Sequence, residues 1–207
     1  MALIVVALAG SPRRGGNTDI LLEQAMAGAR DAGAQVEELR LNLLRVRPCQ
    51  HCDGCIETGV CVIKDDMQAI HRQLRAAGRI ILAAPIFFMA LPAQAKLVID
   101  RCQALWVERY LLGVRRTHGS DGSRRAGLFL SVGGTRFRNL FDGARTTVRA
   151  FFATCDVEYA ADVCISGVDV AGAIRDHPAA LNSAYEAGVN LVAPAEAARP
   201  PAVEEKL

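Results

Sequence analysis

The chain has 207 residues, of which 51% are hydrophobic and 22% are charged, and its formal net charge at pH 7 is +2. This length and composition are typical of one medium-sized globular domain with a substantial core. A net charge this close to zero gives no general signature of nucleic-acid binding, so we expect no nucleic-acid partner.

Apolar stretches in the chain do not predict a membrane segment. The N-terminal run from Leu3 to Ala9 is short, has no basic region ahead of it and ends at Ser-Pro-Arg-Arg, unlike a signal peptide. The longest stretch, Ile80 to Ile99, contains two prolines, a glutamine and a lysine. We therefore expect no membrane partner and a cytoplasmic location, where the seven cysteines stay reduced and need an explanation other than disulfides.

The first element is a strand over residues 3–9, apolar throughout and therefore buried on both faces. A glycine-rich, basic turn follows from Gly10 to Thr18, and apolar residues then recur at helical spacing, with Asn17 or Thr18 as the expected N-cap. A helix that begins beyond a strand directs free N–H groups and partial positive charge at a ligand. The turn therefore predicts a phosphate site for a mononucleotide, and a merely glycine-rich loop is the alternative.

Two well-known phosphate motifs do not fit this turn. Gly10 and Gly15 have the glycine spacing of a P-loop, but Gly16 and Asn17 stand where the motif requires Lys-Ser/Thr. The dinucleotide pattern G-x-G-x-x-G is also absent from the turn. An NTPase is therefore not expected. Arg13 or Arg14 can instead add a charge-assisted contact to a phosphate, and Ser11, Asn17 and Thr18 can add short hydrogen-bond donors.

Strands and helices alternate along the rest of the chain. Further strands are predicted at 35–41, 80–84, 126–132 and 157–165, and further helices begin near residues 67, 91, 139 and 178. The polar segment from Tyr110 to Arg125 is expected to be an exposed excursion. Five such cycles predict an α/β fold, a parallel sheet covered by helices on both faces. We expect one domain over 1–193, with a cysteine-rich insertion at about 45–65 and a flexible tail over 194–207.

Three loops are expected to meet beyond the carboxyl ends of the strands, namely 11–18, 85–91 and 132–138. The loop that begins at Pro85 is unusually apolar, with Ile86, Phe87 and Phe88 in succession. A flat heteroaromatic ring would remove that surface from water, and a partner subunit covering the loop is the alternative. Gly133 and Gly134 would approach the ring from the other side, since glycine permits close backbone contact.

Four cysteines form a compact run, Cys49-x2-Cys52-x2-Cys55-x5-Cys61. The spacing is close to that of bacterial ferredoxins, although the last gap is longer and no proline follows Cys61. Three crowded cysteines favour a [4Fe–4S] cluster over structural zinc, which usually takes two separated pairs. Zinc and thiols without a metal remain as alternatives, and His51 is expected to be exposed rather than a ligand.

The remaining polar side chains predict no catalytic group. Cys102, Cys155 and Cys164 fall on apolar faces and are interpreted as buried, inert thiols. The histidines are isolated, and no pairing of nucleophile and base is evident. The pairs Arg115–Arg116 and Arg124–Arg125 are interpreted as a solvated face, with a contact to the phosphate of a pyridine nucleotide as the alternative.

With these motifs in place, the chain resembles the flavodoxin-like NADPH-dependent FMN reductase superfamily and is most similar to its iron–sulfur flavoproteins. The resemblance rests on GSPRRGGNTDILL, CQHCDGCIETGVCVIKDDM, APIFFMALPAQAKLVIDRCQALW and SVGG, in this order. It implies five parallel strands in the order 2-1-3-4-5, FMN, a [4Fe–4S] cluster, and a homodimer or homotetramer.

The resemblance also implies which residues contact the cofactors. Phosphate contacts carry over to Ser11, Arg13, Asn17 and Thr18, the ring loop to residues 85–88, and the cluster ligands to Cys49, Cys52, Cys55 and Cys61. Phe87 stands where relatives often have tyrosine, so a contact that needs a hydroxyl group is not available there. The predicted cofactor-binding set is Ser11, Arg13, Gly16, Asn17, Thr18, Pro85, Ile86, Phe87, Phe88, Gly133 and Gly134.

The sequence therefore predicts an oxidoreductase that passes electrons between FMN and a cluster, with NADH or NADPH as a candidate donor and a redox protein or small molecule as acceptor. An FMN or quinone reductase without a cluster is the first alternative. A zinc-binding scaffold without enzymatic activity and a passive electron carrier are the others.

Overall fold

The structure is a computed structural model that describes residues 2–193. The predicted flexible tail at 194–207 lies outside the described residues, so the predicted domain boundary at residue 193 stays a prediction. No helix within the described range is long and apolar enough to cross a membrane.

Five strands form one parallel sheet in the order β2-β1-β3-β4-β5. Their bounds are β1 Ile4–Ala9, β2 Gln35–Arg40, β3 Arg79–Ala83, β4 Ala126–Gly133 and β5 Glu158–Ser166. This is the flavodoxin-like order, and the chain reverses its direction of winding at β1 and β3. The predicted fold class is confirmed.

Within residues 2–193 the chain forms six α-helices. They are α1 Asn17–Asp31, α2 Met67–Ala76, α3 Ala93–Arg101, α4 Gln103–Trp106, α5 Asp142–Thr154 and α6 Pro178–Val192. A π-helical turn, Val107–Leu111, follows α4, and short 3₁₀ turns lie at Leu41–Leu43 and Ala173–Asp176. Helices α1 and α6 pack on one face of the sheet, whereas α2, α3 and α5 pack on the other.

Alternating side chains of the central strands supply both cores. Val6 and Leu8 of β1 face the core under α2, α3 and α5, whereas Val5 and Ala7 face the core under α1. Since successive side chains of a strand point to opposite faces, a strand covered on both sides must be apolar throughout. This requirement explains why β1 and β3 are recognisable as continuous apolar runs.

Two predicted elements differ from the structure. The helix predicted to begin near residue 91 begins at Ala93 and is interrupted at Cys102, after which the chain continues through α4 and the π turn. The excursion predicted from Tyr110 is exposed over most of its length, but its last residue, Arg125, is only 2% exposed. Its guanidinium donates to the backbone carbonyls of Leu74, Ala77 and Cys155, which satisfy a buried cation in the core.

Candidate functional site

The loops that follow β1, β3, β4 and β5 meet at the carboxyl edge of the sheet and enclose a cavity of about 120 Å³. We call this space the edge cavity. It is lined by Ser11, Pro12, Arg13, Gly16, Asn17, Thr18, Pro85, Ile86, Phe87, Val132, Gly134, Val168, Asp169 and Ala171. Nine of the predicted cofactor-binding residues are among them, whereas Phe88 and Gly133 are not.

The loop after β1 directs the N-terminus of α1 at the edge cavity. The helix begins at Asn17, and its N-cap is Gly16 in extended conformation, so the predicted cap at Asn17 or Thr18 is wrong by one or two residues. Gly15 has a φ of +65°, a conformation that favours glycine. The Ser11 hydroxyl accepts the backbone N–H of Arg13 at 3.2 Å and holds the turn in shape.

The side chain of Asn17 has a different role from the predicted cap. Its amide nitrogen donates to the Val170 carbonyl at 2.9 Å, and its oxygen accepts the N–H of Ile174 at 3.2 Å. These bonds attach the start of α1 to the segment after β5. The loop after β5 therefore becomes part of the wall of the edge cavity.

A buried ion pair lies behind the glycine-rich turn between β1 and α1. Asp19 is only 2% exposed, accepts the N–H of Gly15 at 3.0 Å and pairs with Arg40 at 2.8 Å. Within residues 2–193, neither Arg13 nor Arg14 makes an ion pair with another side chain. Arg13, in the wall of the edge cavity, is thus a cation that can pair with an anion there.

The loop after β3 forms a tight turn at the opening of the edge cavity. Phe87 and Ala90 exchange backbone hydrogen bonds of 2.9 and 3.0 Å across Phe88 and Met89, both of which have positive φ angles. Such a conformation is uncommon for residues other than glycine. The turn points the Phe88 side chain fully into solvent rather than into the cavity, while Phe87 is half-exposed at its wall.

Glycines in the loops after β4 and β5 bring the two segments close together. A Cβ on Gly133 would overlap the side chain of Leu140, and one on Gly134 would overlap the carboxylate of Asp169. Sequence reasoning missed Val168, Asp169 and Ala171, which belong to the loop after β5 and line the edge cavity. Gly167 and Gly172, with φ angles of +78° and +83°, were the available signal of a shaped loop there.

A second cavity, of about 260 Å³, lies between the cysteine-rich insertion and the segment from α3 to the π turn. We call it the cysteine cavity, since Cys49, Cys52, Cys55 and Cys61 all line it. Cys55 is partly buried, and this burial raises the pKa of its thiol. His51 also lines the cavity and is exposed.

Buried charges hold the insertion against the body of the domain. Asp65 accepts the backbone N–H groups of Arg47 and Met67 and pairs with Arg101 at 2.7 Å. Burial opposes ionisation of this carboxyl group, but the hydrogen bond from Arg101 and those from the backbone outweigh it and hold the pKa of Asp65 below its usual value.

The turn between Cys55 and Cys61 has a second attachment. Arg75 donates to the Gly59 carbonyl at 3.3 Å and pairs at 2.8 Å with Glu108 of the π turn, which is 7% exposed. Gly59 has a φ of +68°, and a Cβ there would overlap the Glu108 side chain. Glycine is therefore required at this position by both its conformation and its surroundings.

The arrangement of the thiols bears on which metal they could hold. Within residues 2–193, no three histidine, cysteine, aspartate or glutamate side chains are grouped so as to hold one metal ion. A single zinc ion would need such a convergence, with sulfur atoms about 2.3 Å from one centre. A four-iron cluster makes a different demand, because each thiolate ligates a separate iron.

The other candidate groups have structural partners. Cys102 is fully buried, and its hydrogen bond with Cys155 and its burial raise the pKa of its thiol far above the usual value. Burial raises the pKa of Cys164 to about 12. Neither thiol is poised for chemistry, which agrees with their interpretation as inert.

Of the four arginines in the two Arg-Arg pairs of the excursion, three make ion pairs or hydrogen bonds within the protein. Arg115 pairs with Asp156, Arg116 pairs with Glu108, and Arg125 is buried against carbonyl groups. Buried Arg125 is not part of a solvated face. None of the four lines the edge cavity, and the alternative of a nucleotide-phosphate contact at these pairs stays a prediction.

With this geometry in place, comparison with known proteins identifies the family. A family model described as NADPH-dependent FMN reductase matches residues 3–142, more than half of the chain. The chain belongs to the NADPH-dependent FMN reductase family. The match includes all four cysteines of the insertion and the loops after β1, β3 and β4, whereas the loop after β5 lies beyond it.

Individual relatives agree with this assignment. The chain is similar to an iron-sulfur flavoprotein of Methanosarcina thermophila, at 33% identity over 64% of each chain. It is also similar to one of Archaeoglobus fulgidus, at 34% identity over 64% of this chain and 63% of the relative. The chain thus matches less than two thirds of the length of these relatives.

Among solved structures, the fold is similar to that of the NAD(P)H:quinone oxidoreductase from Methanothermobacter marburgensis, with a TM-score of 0.67. The likeness covers 92% of this chain and 96% of the other at 20% sequence identity. At this identity the comparison shows a shared fold.

Proposed function

We propose that this chain is an oxidoreductase that binds FMN non-covalently in the edge cavity and accepts electrons from NADH or NADPH. The observation that carries the proposal is that the loops after β1, β3, β4 and β5 line one cavity at the N-terminus of α1. Family membership supports the same cofactor. When bound, FMN supplies hydride and single-electron chemistry, and the protein binds and orients it.

The phosphate of FMN is proposed to bind at the turn after β1. Free backbone N–H groups at the start of α1 and the partial positive charge of the helix favour an anion there. Arg13 lines the same space without a carboxylate partner among the described residues, and Ser11 and Thr18 add hydroxyl groups. Asp19 does not oppose the anion strongly, because Arg40 neutralises its charge.

The flavin ring is proposed to lie against Pro85, Ile86 and Phe87, with Gly134 on the opposite side. This wall is apolar, and Phe87 is 47% exposed. Covering it with a flat ring removes apolar surface from water. No side chain in the edge cavity is assigned as a general acid or base, so the role of the protein is to bind and orient.

A [4Fe–4S] cluster is proposed at Cys49, Cys52, Cys55 and Cys61. Two properties of the chain fit the group: four thiols line one cavity, and Arg101 donates to the sulfur of Cys61. When bound, such a cluster supplies single-electron transfer. The thiols must stay reduced, as they do in the cytoplasm, and this is the location that we propose.

We also propose that the protein acts as a homodimer or homotetramer and passes electrons to a redox protein or a small acceptor. Exposed apolar side chains beside the edge cavity support this, since a surface of this kind is usually covered by a partner. They are Phe88, Phe137 and Val170.

The flavin site is tested by an oxygen-free titration of FMN against two neighbouring variants. Arg13→Ala is expected to weaken FMN binding by roughly tenfold or more, because a hydrogen bond to a charged group contributes about 1.5–3 kcal/mol. Arg14→Ala, which is also exposed but does not line the cavity, is the matched control and should bind like the wild type. Equal weakening in both variants, or in neither, would contradict the proposed phosphate contact.

The cluster site is tested by anaerobic reconstitution with iron and sulfide. Wild-type protein is expected to retain both and to absorb in the visible range, whereas Cys55→Ala should lose most of the iron. Cys164→Ala removes a thiol outside the cysteine cavity and should retain it. Wild-type protein that holds FMN but no iron would overturn the cluster and leave the flavoprotein.

That outcome defines the second candidate function, an NAD(P)H-dependent reductase of flavins or quinones without a cluster. The observation in its favour is that the edge cavity is lined without any of the four cysteines of the insertion, so a flavin can bind there whether or not the thiols hold a cluster. Steady-state oxidation of NADH or NADPH with a quinone acceptor separates either reductase from a passive electron carrier. Colourless protein with one zinc per chain would instead support a scaffold.

A further inference from the structure

Arg101, the last residue of α3, is a buried cation in the wall of the cysteine cavity. Its side chain is 1% exposed, and one terminal nitrogen donates to Asp65 and to the Arg47 carbonyl, both at 2.7 Å. The other donates to the second oxygen of Asp65 at 3.1 Å and to the sulfur of Cys61 at 3.3 Å. The carboxylate thus fixes the plane of the guanidinium while one N–H faces a thiol.

This contact distinguishes Cys61 from the other three cysteines of the insertion. Among the hydrogen bonds of the described residues, it is the only one of the four whose sulfur accepts a side-chain N–H. A guanidinium keeps its charge at all relevant pH values, so the donor cannot be lost by deprotonation. Cys61 therefore lies beside a permanent, buried positive charge.

A second observation places Arg101 beside the four thiols. The terminal nitrogen that contacts Cys61 belongs to a side chain that lines the cysteine cavity. Buried donors in native proteins are nearly always satisfied, and here the carboxylate of Asp65, the Arg47 carbonyl and the Cys61 sulfur satisfy the terminal nitrogens. An electron-rich group held by those thiols fits such a wall.

We infer that Arg101 is a positioning residue that raises the reduction potential of the group held at Cys61. The inference rests on the proposed function, since it takes that group to be the iron–sulfur cluster. The N–H donated to the ligating sulfur withdraws electron density, and the nearby positive charge stabilises the added electron. One electron enters from an external reductant, and no bond at Cys61 is made or broken. Asp65 holds Arg101 in place and partly offsets its charge.

The two members of the ion pair should therefore shift the potential in opposite directions. Arg101→Gln removes the positive charge and is expected to lower the equilibrium constant for one-electron reduction by about tenfold or more, a shift of about 59 mV to more negative potential. Asp65→Asn removes the opposing negative charge and is expected to shift the potential to more positive values. Asp100→Asn, an exposed carboxylate paired with Lys96, is the control and should leave it unchanged.

The measurement is a redox titration of reconstituted protein, followed by visible absorption and electron paramagnetic resonance, with iron and sulfide determined for each variant. Arg101→Lys keeps the charge without the planar fork and is expected to change the equilibrium constant by less than about threefold. If Arg101→Gln does not retain iron, Asp65→Asn decides: a shift to more positive potential supports the role of Arg101, and an unchanged potential contradicts it.

Shifts in the same direction for both partners, or no shift in either, would mean that the pair only holds the loop, and would overturn the role of Arg101. Wild-type protein that takes up no iron would overturn the cluster itself and this role with it. Normal iron with an unchanged potential in the variants would overturn the role of Arg101 alone.

Discussion

His71 of α2 makes a buried hydrogen bond that depends on its protonation state. Its Nε2 lies 3.0 Å from the Arg101 carbonyl, which can only accept, so the neutral ring carries its hydrogen on Nε2. The ring is 1% exposed, and burial lowers its pKa to about 4 although the hydrogen bond opposes this shift. The folded protein therefore keeps His71 neutral at pH values where the unfolded chain has begun to protonate it.

This difference predicts acid sensitivity. As the pH falls below about 6.5, the unfolded state binds a proton that the folded state excludes, so stability decreases until the folded pKa near 4 is reached. Between pH 8 and pH 5 the contribution is about 2 kcal/mol, at 1.36 kcal/mol per pKa unit. Urea unfolding of wild type and His71→Gln, whose amide can donate the same bond, measures it. Parallel pH profiles of the two proteins would contradict the assignment.

Arg40 offers a direct comparison between a buried and a more exposed ion pair. It contacts Asp19 and Glu38, both at 2.8 Å, but the side chain of Asp19 is 2% exposed and that of Glu38 is 26% exposed. Asp19→Asn is expected to reduce the free energy of unfolding by about 2 kcal/mol, since it weakens a buried charged network that includes the Gly15 N–H.

Glu38→Gln is the matched control and is expected to cost less than about 1 kcal/mol, because solvent screens the exposed pair. Chemical denaturation of the two variants with FMN removed measures the difference. An equal decrease in the free energy of unfolding of the two variants would contradict a larger contribution from the buried pair of Arg40 and Asp19.

At the scale of elements, α1 and α6 cross closely because each has glycine at the contact. A Cβ on Gly28 would overlap the Tyr185 carbonyl, and one on Gly188 would overlap the Ala25 carbonyl. Alanine has the higher helix propensity by about 1 kcal/mol, but overpacking against backbone costs about 1–3 kcal/mol or more. Because neither carbonyl can move alone, the steric cost is expected to dominate.

We therefore expect Gly28→Ala and Gly188→Ala to lower the free energy of unfolding by about 2 kcal/mol or more. Ser183→Ala, at an exposed position of α6, should change it by less than about 0.5 kcal/mol. Thermal or urea unfolding checks all three variants. If Gly28→Ala or Gly188→Ala raised the free energy of unfolding, α1 and α6 would be able to move apart without a loss of stability, and the prediction would be wrong.

The order of elements was predictable because burial on both faces leaves a strong signal in the sequence. Strands β1, β3 and β4 are nearly continuous apolar runs, and the glycine-rich turn before α1 is typical of a segment that precedes a helix. The break at Cys102 and the π turn were missed, since the apolar spacing there continues as in one regular helix.

Contacts between segments that are far apart in the sequence could not be predicted from local sequence patterns. Asn17 bonds to the loop after β5, more than 150 residues away, and buried Arg125 is satisfied by carbonyls at the end of α2 and at Cys155. Polar side chains at these positions are typical of a cap and of a solvated loop, so the sequence favours those interpretations. Only the packed fold supplies the partners that make the observed roles favourable.

At the scale of the whole molecule, the parallel order β2-β1-β3-β4-β5 determines where a ligand can bind. The reversal between β1 and β3 opens a crevice at the carboxyl edge, and the loops of four strands close around it. The cysteine-rich insertion joins β2 to α2 and forms a separate cavity with the segment after α3. The fold thus provides two separate cavities in one domain.

The central claim is that the start of α1 binds the phosphate of FMN. An oxygen-free titration that compares FMN with riboflavin, followed by flavin fluorescence, tests it most directly. We expect one FMN per chain, bound about tenfold or more tightly than riboflavin, which has the same ring but no phosphate. Equal affinity for the two flavins, or no uptake of FMN, would contradict the account.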